Sequence, residues 1–273
     1  LELKNQYTGQ TVNNAKEQWM YDRDPRELCF QFDKRILAYF CVDHTDVFMT
    51  TRLNKGDTFF LPFNQGSAGA GKNGGAGNPA AADGDFAVSY IWREVFQRDS
   101  LMDILHRFMN LETKEEKVRR KNGKEDKVVK KTLIFPRYHQ LDVVRKLVAH
   151  VKQHGSGSNY LIQHSAGSGK SNSIAWVAHR LSTLFNVENQ PIFSSVIVVT
   201  DRTVLDAQLR NTISGHDHTR GVIAAIDDEM TSQDLKDAIN AGARIIITTL
   251  QKFPVIYQEV EITQGKGFAI IVD

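Results

Sequence analysis

The sequence predicts an α/β protein whose carboxyl-terminal half is built around a parallel β-sheet. Two observations support this prediction. From Tyr138 onward, segments with helical periodicity alternate with short apolar runs, a pattern typical of a parallel sheet with helices on both faces. The chain also has 273 residues, 41% of them hydrophobic, which is enough to bury at least one full core.

The periodicity places each element within a few residues. In the second half we expect helix 139–152, strand 159–163, helix 170–184, strand 194–200, helix 202–211, strand 221–226, helix 231–240, strand 244–249 and strand 268–273. In the first half we expect helix 13–21, strands 35–40 and 46–52, and a helix over 101–108 capped by Asp99 or Ser100. The Gly-, Ala- and Asn-rich stretch 66–84 is predicted to be a loop or linker near a domain boundary.

Composition restricts where the protein works. Cys29 and Cys41 form no metal-ligand pattern and are too few for a disulfide framework, which fits a reducing cytosol. No apolar stretch approaches the roughly 18 residues of a membrane span, and no signal peptide is visible. We therefore predict a cytoplasmic protein without a membrane contact, and both chain ends indicate a piece of a longer protein.

The net charge of the chain does not indicate its partners, so only local clusters of charged residues are informative. The formal net charge is +2, so affinity for nucleic acid must come from clustered Lys and Arg. The stretch 112–131 contains nine basic and five acidic residues around Asn122-Gly123, a hairpin turn signal. A solvated hairpin is the favoured interpretation over a DNA contact, because charge runs usually face water.

Two segments approximate the phosphate-binding loop pattern of Gly, four residues, Gly, Lys and Ser or Thr. The first, Gly66 to Asn73, ends in Asn and lacks the hydroxyl that would bind Mg²⁺. Glycines and Pro79 follow it, so no helix can start there to fix the backbone N–H groups that bind an anion. We predict a plain loop at this position.

The second segment, His164 to Ser171, replaces the first Gly by His but lies between a predicted strand and a predicted helix. Gly167 and Gly169, with Ser168 between them, let the backbone wrap the β-phosphate of ATP. Lys170 would reach the β- and γ-phosphates and Ser171 would bind Mg²⁺. The alternative is a Gly-rich turn that binds no nucleotide.

The magnesium partner of such a loop is an aspartate at the end of a buried strand. Asp273 closes the apolar run that begins at Phe268 and lies about 100 residues after Lys170, a position that suits an ATP-driven motor. An acidic residue in this place can also be a helix cap.

These motifs, taken in order, resemble superfamily 2 helicases and, more closely, the restriction subunit of type I restriction–modification enzymes. The segment 135–140 is similar to the part of that family in which a glutamine recognises adenine, which implies that Gln140 and Arg137 lie near the base. The segments 164–171, 198–209 and 247–253 resemble motifs I, Ia and Ib. The resemblance implies a three-layer RecA-like sheet as the first helicase lobe.

The segments similar to motifs Ia and Ib follow predicted strands, where polar groups can meet phosphates at the carboxyl edge of a sheet. Thr200, Arg202, Thr248 and Thr249 are therefore predicted to contact the DNA backbone. For the threonines, helix capping is an equally weighted alternative.

The amino-terminal residues extend the resemblance to a nuclease. Glu2 and Lys4 have the spacing of the Glu-X-Lys half of a PD-(D/E)XK site, because strand alternation puts both side chains on one face. Glu2 would hold Mg²⁺, and Lys4 would orient water or steady the phosphate charge. Gln18 and Tyr21 resemble the RecB-like pattern, with a spacing one residue shorter than that family has. The metal-binding aspartate that should precede Glu2 is missing.

Taken together, the resemblance implies three regions: part of a PD-(D/E)XK nuclease domain over 1–60, a linker over 61–132, and the first RecA-like domain over 133–273. It implies an endonuclease and translocase that uses ATP and Mg²⁺ to pull double-stranded DNA past methyltransferase and specificity subunits. This piece alone should hydrolyse little ATP. The alternatives are an ATP-gated binding module without catalysis and a solitary DNA-repair helicase.

Overall fold

The computed structural model describes residues 1–81, 84–119, 125–200, 203–216, 222–226, 230–252 and 267–273. These residues form two compact units, Leu1–Asp142 and Val143–Asp273. Within the described ranges, no helix is both long and apolar enough to cross a membrane. Each unit has its own β-sheet.

The first unit contains a four-stranded sheet and a helix packed on it. Its strands are β1 (Glu2–Leu3), β2 (Tyr39–Val42), β3 (Val47–Thr50) and β4 (Leu61–Pro62), in that spatial order. β1 runs parallel to β2, and the other two pairings are antiparallel. The sequence placed β2 and β3 within a few residues of their observed bounds.

Helix α1 (Val12–Tyr21) confirms the predicted helix 13–21 and begins with a capping box between Thr11 and Asn14. Its buried side chains recur at helical spacing and face the sheet: Val12, Ala15 and Trp19. The Trp19 indole donates to the Phe40 carbonyl at 3.2 Å, and its ring lies 5.0 Å from that of Tyr39. This apolar face fixes the helix, and with it Gln18, against β1 and β2.

Asp43 stabilises the entry into α1 and the turn between β2 and β3. The side chain is buried and accepts hydrogen bonds from the backbone N–H groups of Val12, Thr45 and Asp46 at 2.8–2.9 Å. Burial by itself raises the pKa of Asp43, but these three donors outweigh it and hold the pKa below its ordinary value. The charged form is therefore the stable one in the folded protein.

Replacing Asp43 by Ala should lower the free energy of unfolding by about 1–3 kcal/mol at pH 7, because three backbone N–H groups, that of Val12 buried, lose a charged acceptor. Since the folded pKa is depressed, this stabilisation is present above the unfolded pKa of about 3.9 and is lost as the pH falls through the folded value. Urea unfolding at pH 7 and pH 3 measures both effects. An equal loss at the two pH values would contradict this role of the carboxylate.

The segment predicted as a linker, 61–132, packs in part into the first unit. Phe63 is fully buried and accepts a hydrogen bond at its carbonyl from the Tyr90 hydroxyl at 2.7 Å. A π-helical turn, Ile91–Val95, and helix α2 (Arg98–Arg107) follow. The Gly-rich composition hid these contacts, because backbone hydrogen bonds rather than apolar periodicity order the loop. The domain limits at 60 and 132 stay predictions.

Two local predictions in this region have different outcomes. Gly66 to Asn73 forms a loop closed by backbone hydrogen bonds, Gly66 to Gly77 at 2.8 Å and Ser67 to Gly75 at 2.9 Å, and no helix follows it in the described residues up to 81. The rejection of this segment as a phosphate loop is supported. The predicted caps of α2 are wrong, because the helix begins after Gln97 and the Ser100 hydroxyl instead donates to the Val95 carbonyl at 3.0 Å.

Strands β5 (Asn110–Arg119) and β6 (Glu125–Ile134) form the predicted antiparallel hairpin. The pairing register runs from Asn110 opposite Ile134 to Arg119 opposite Glu125. The turn signal Asn122-Gly123 lies outside the described residues. Leu133, near the base of the hairpin, is buried, whereas residues 127–132 are exposed.

The second unit confirms the predicted parallel sheet. Its strands are β7 (Ser195–Thr200), β8 (Ile223–Ala225), β9 (Ile245–Thr249) and β10 (Phe268–Val272), in the order β10-β7-β9-β8, all parallel. Every residue of β7 and β9 is buried, as expected for inner strands of a covered sheet. The helices are α3 (Tyr138–His154), which begins in the first unit, and α4 (Lys170–Ser182), α5 (Thr203–His216) and α6 (Ser232–Asn240).

The predicted strand 159–163 is wrong. No strand is present there, and Leu161 is 98% exposed. The apolar run Tyr160-Leu-Ile satisfies the sequence pattern of a buried strand, but strand formation also needs a neighbouring edge to pair with. That partner is a tertiary property which the pattern does not contain.

Candidate nucleotide site and nuclease half-site

The backbone of the phosphate loop has the shape that its glycines predict. Gly167 and Gly169 adopt left-handed conformations, with φ of 73° and 86°, which residues with a side chain rarely adopt. Helix α4 begins at Lys170, directly after Gly169, and no side chain caps its N-terminus. The first backbone N–H groups of α4 are therefore placed to bind an anion.

Helix α4 holds the loop in place through its buried face. Ala175, Trp176 and Ala178 are almost completely buried, and Trp176 is among the largest fully buried side chains. A helix anchored by such packing keeps its N-terminus in a fixed position. The residues that would meet the phosphates are thus attached to a rigid element.

Lys170 and Asp273 meet at the carboxyl edge of the sheet. The Lys170 Nζ lies 2.6 Å from Asp273 Oδ1, and the Asp273 side chain is 10% exposed. The Asp273 backbone N–H donates to the Val199 carbonyl at 3.0 Å, which extends the β10–β7 pairing by one residue. Two residues that lie 103 positions apart in the sequence are therefore brought together as the sequence predicted.

Lys170 is the charged side chain of this site that can change its orientation. In this structure the Lys170 ammonium is neutralised by the Asp273 carboxylate, as a negatively charged phosphate would neutralise it when a nucleotide is bound. Because the Lys170 side chain is 55% exposed, it can turn toward phosphates and leave the carboxylate to a magnesium ion. Ser171, in the first turn of α4, supplies a hydroxyl beside them. These groups fit Mg²⁺ and a nucleoside triphosphate.

His164 does not add positive charge to the loop. Burial lowers the pKa of His164 below its ordinary value, and the nearby Lys170 lowers it further. The imidazole is therefore neutral at pH 7. Because His164 is uncharged, the positive potential of the loop comes from Lys170 and from the N-terminus of α4.

A cavity of about 520 Å³ opens beside the loop within the second unit. It is bounded by the carboxyl-terminal part of α3, by α4 and by β10, and His164, Lys170 and Asp273 all line it. Cavities of this volume are typical of small-molecule sites. The phosphate loop therefore borders a space of a suitable size for a ligand.

The adenine prediction rests on the first unit. Gln140 is 3% exposed, and its Oε1 accepts a hydrogen bond from the Arg137 backbone N–H at 2.9 Å. The side chain thus holds the start of α3 in shape. Contact of Gln140 and Arg137 with a base stays a prediction.

The predicted DNA-contacting threonines lie at the carboxyl ends of neighbouring strands, where Thr200 of β7 pairs with Thr249 of β9. Thr200, Thr248 and Thr249 are each at most 3% exposed, so DNA could reach their side chains only after neighbouring residues moved. Arg202 lies outside the described residues. The four DNA contacts stay predictions.

The nuclease-like residues are partly brought together. Lys4 Nζ donates to Gln18 Oε1 at 2.5 Å, and Glu2 lies on the same side of the chain, paired with Arg23 at 3.7 Å. Tyr21 is 70% exposed, and in the described part of the chain no hydrogen bond or ion pair joins it to these residues. A Cβ on Gly56 would lie 3.4 Å from the Tyr21 hydroxyl, so this tyrosine faces another loop.

Sequence reasoning missed Arg23. It lies two residues after Tyr21, beyond the end of α1, and 21 positions from Glu2, so no local sequence signal indicated that the two would pair. Cys41 pairs with Glu2 in the β1–β2 register, but burial raises the pKa of Cys41 to about 12, so it stays a thiol. Among the described residues, no group of three or more His, Cys, Asp or Glu could hold a metal ion.

The comparisons with known proteins bear on the second unit. Residues 139–273 match the SWI2/SNF2 ATPase family. Neither the curated proteins nor the solved structures gave a match. The matched range contains the phosphate loop, the parallel sheet and Asp273, and it supports a superfamily 2 helicase-type ATPase in this part of the chain.

Proposed function

We propose that the intact protein is the restriction subunit of a type I restriction–modification complex. In this role it uses ATP to pull double-stranded DNA past its methyltransferase and specificity partners, and it cleaves unmodified DNA away from the recognition site. The ATPase part of the proposal rests on the family match over residues 139–273. The nuclease and restriction parts go beyond that match.

The observation that supports the proposal is that one chain contains two arrangements of polar side chains, each of which fits one of the two activities. A phosphate loop whose lysine meets a strand-end aspartate lies in the second unit. A Glu-X-Lys strand whose lysine binds Gln18 of the following helix lies in the first. A helicase without a nuclease has no need for the second arrangement.

At the nucleotide site, the chain's own residues bind and orient the substrate. The N–H groups at the start of α4 and the Lys170 ammonium would hold the triphosphate, while Ser171 and Asp273 would hold Mg²⁺. The bound ion would neutralise charge on the transferring phosphoryl group. At the nuclease half-site, Glu2 would supply one carboxylate ligand of a second Mg²⁺, and Lys4 would stabilise charge on the phosphodiester.

Steady-state ATPase activity of the full-length protein, assembled with its methyltransferase and specificity subunits, tests this function. We expect unmethylated duplex DNA to stimulate hydrolysis and methylated DNA of the same sequence to have little effect. Equal stimulation by both would indicate a general DNA helicase of the repair type. Complete lack of ATPase activity would instead support a nucleotide-gated binding module.

A further inference from the structure

The described part of strand β6 presents both of its faces to solvent. From Lys127 to Thr132, six consecutive residues are exposed, although neighbouring residues of a strand point to opposite faces. Val128 and Val129 are 46% and 55% exposed. With ten residues in each strand, the ribbon is about 30 Å long.

The register of the hairpin places two lysines opposite each other on one face and a third lysine on the other face. Lys114 pairs with Lys130, and Thr113 pairs with Lys131 on the other face. Directly opposed like charges destabilise a strand pair, and an isolated two-stranded hairpin is only marginally stable. Lys114 is partly neutralised by Glu112 at 2.9 Å, but the stretch 112–131 keeps nine basic against five acidic residues. This excess of positive charge would attract an anionic partner.

We propose that the hairpin is an arm that contacts the phosphate backbone of duplex DNA. The excess positive charge complements a polyanion, and lysines occupy both faces of the ribbon. A two-stranded β-ribbon has the dimensions of the major groove. Lysine ammonium groups on long side chains can bind phosphates regardless of the base sequence. A protein that translocates along DNA needs contacts of this kind.

This inference deepens the proposed function, on which it rests for the identity of the nucleic acid. It differs from the motif-based contacts, because the hairpin lies in the first unit and far in sequence from β7 and β9. The ribbon would increase the affinity for duplex DNA without adding sequence specificity. Its loss should therefore weaken binding to all duplexes alike.

The test replaces Lys114, Lys130 and Lys131 by Gln in the full-length protein and measures affinity for a random-sequence duplex from 50 to 200 mM salt. We expect about 10- to 100-fold weaker binding at the low-salt end. The slope of log affinity against log salt should fall by up to about 3, since each lost phosphate contact removes about 0.9.

Two control variants keep the result interpretable. Changing all three lysines to Arg preserves charge and should preserve both affinity and slope. Changing Lys34, Lys55 and Lys72 to Gln removes the same charge from exposed positions of the same unit outside the hairpin, and it should leave the salt slope within about one unit of the unsubstituted value. Thermal unfolding of each variant reports whether the fold is intact.

The outcomes separate this proposal from the proposed function. An unchanged affinity and slope in the hairpin variant, while the unsubstituted protein binds DNA and shows DNA-stimulated ATPase, would overturn the arm alone. Normal DNA binding with lost assembly onto the methyltransferase would overturn it in favour of a protein-binding surface. If the unsubstituted protein neither binds duplex nor responds to it, the proposed function itself fails.

Discussion

Replacing Lys170 by Ala should lower the ATPase activity of the full-length protein by about 100- to 1,000-fold. The Lys170 ammonium lies 2.6 Å from the Asp273 carboxylate and at the N-terminus of α4, where it would stabilise charge on the transferring phosphoryl group. Loss of one such preorganised group typically costs about 10²–10³ in rate. Translocation and remote cleavage should disappear with it, and DNA-stimulated phosphate release measures the first effect directly.

A loss of activity in this variant should not reflect unfolding. Because Lys170 is more than half exposed, its ion pair with Asp273 contributes less than about 1 kcal/mol to stability. Lys152 on α3 is an exposed lysine in the same unit, and replacing it by Ala should leave ATPase activity unchanged. Normal ATPase activity in the Lys170 variant would show that this loop is not the nucleotide-binding site.

The second large effect is expected at Glu2. Replacing Glu2 by Ala should lower DNA cleavage by at least about 100-fold, because a metal ion there would supply several kcal/mol of charge stabilisation. ATPase activity should persist, since the phosphate loop lies in the other unit. Cleavage of a circular plasmid and phosphate release, measured in one reaction, separate the two activities.

The control for this variant is Glu17, an exposed carboxylate on α1. Replacing Glu17 by Ala changes the same charge on the neighbouring helix and should leave cleavage intact. Undiminished cleavage by the Glu2 variant would mean that the half-site with Lys4 and Gln18 is structural. If the unsubstituted protein also failed to cleave, a nucleotide-gated binding module would become the better description.

The local elements of the second unit follow from the sequence because their signals are local. Strands β7 and β9 are rich in buried Val and Ile. Helix α4 follows Gly167 and Gly169, which adopt the left-handed backbone conformation that glycine favours. Asp273 directly follows the apolar strand β10. Each of these features depends on a few adjacent residues and on their burial. The helix and strand limits therefore deviate by only a few positions from the predicted ones.

The strand pairing itself required the tertiary structure. The apolar run at 159–163 has the composition of a strand, but its pairing depends on a partner edge that sequence patterns do not encode. The contribution of residues 61–110 to the first core was equally hidden, because a Gly-rich stretch without apolar periodicity separates Phe63 from Tyr90, and the two residues meet only in the folded chain.

The candidate sites divide in the same way. The sequence by itself was enough to predict a phosphate loop, its lysine and an aspartate that should meet it, because that chemistry requires fixed residue types at fixed places. Only the tertiary structure decided that Lys170 lies 2.6 Å from Asp273, that Arg23 pairs with Glu2, and that Thr200 and Thr248 are buried. Distances and burial arise from how strands and helices pack, and residues far apart in the chain carry no local sign of that packing.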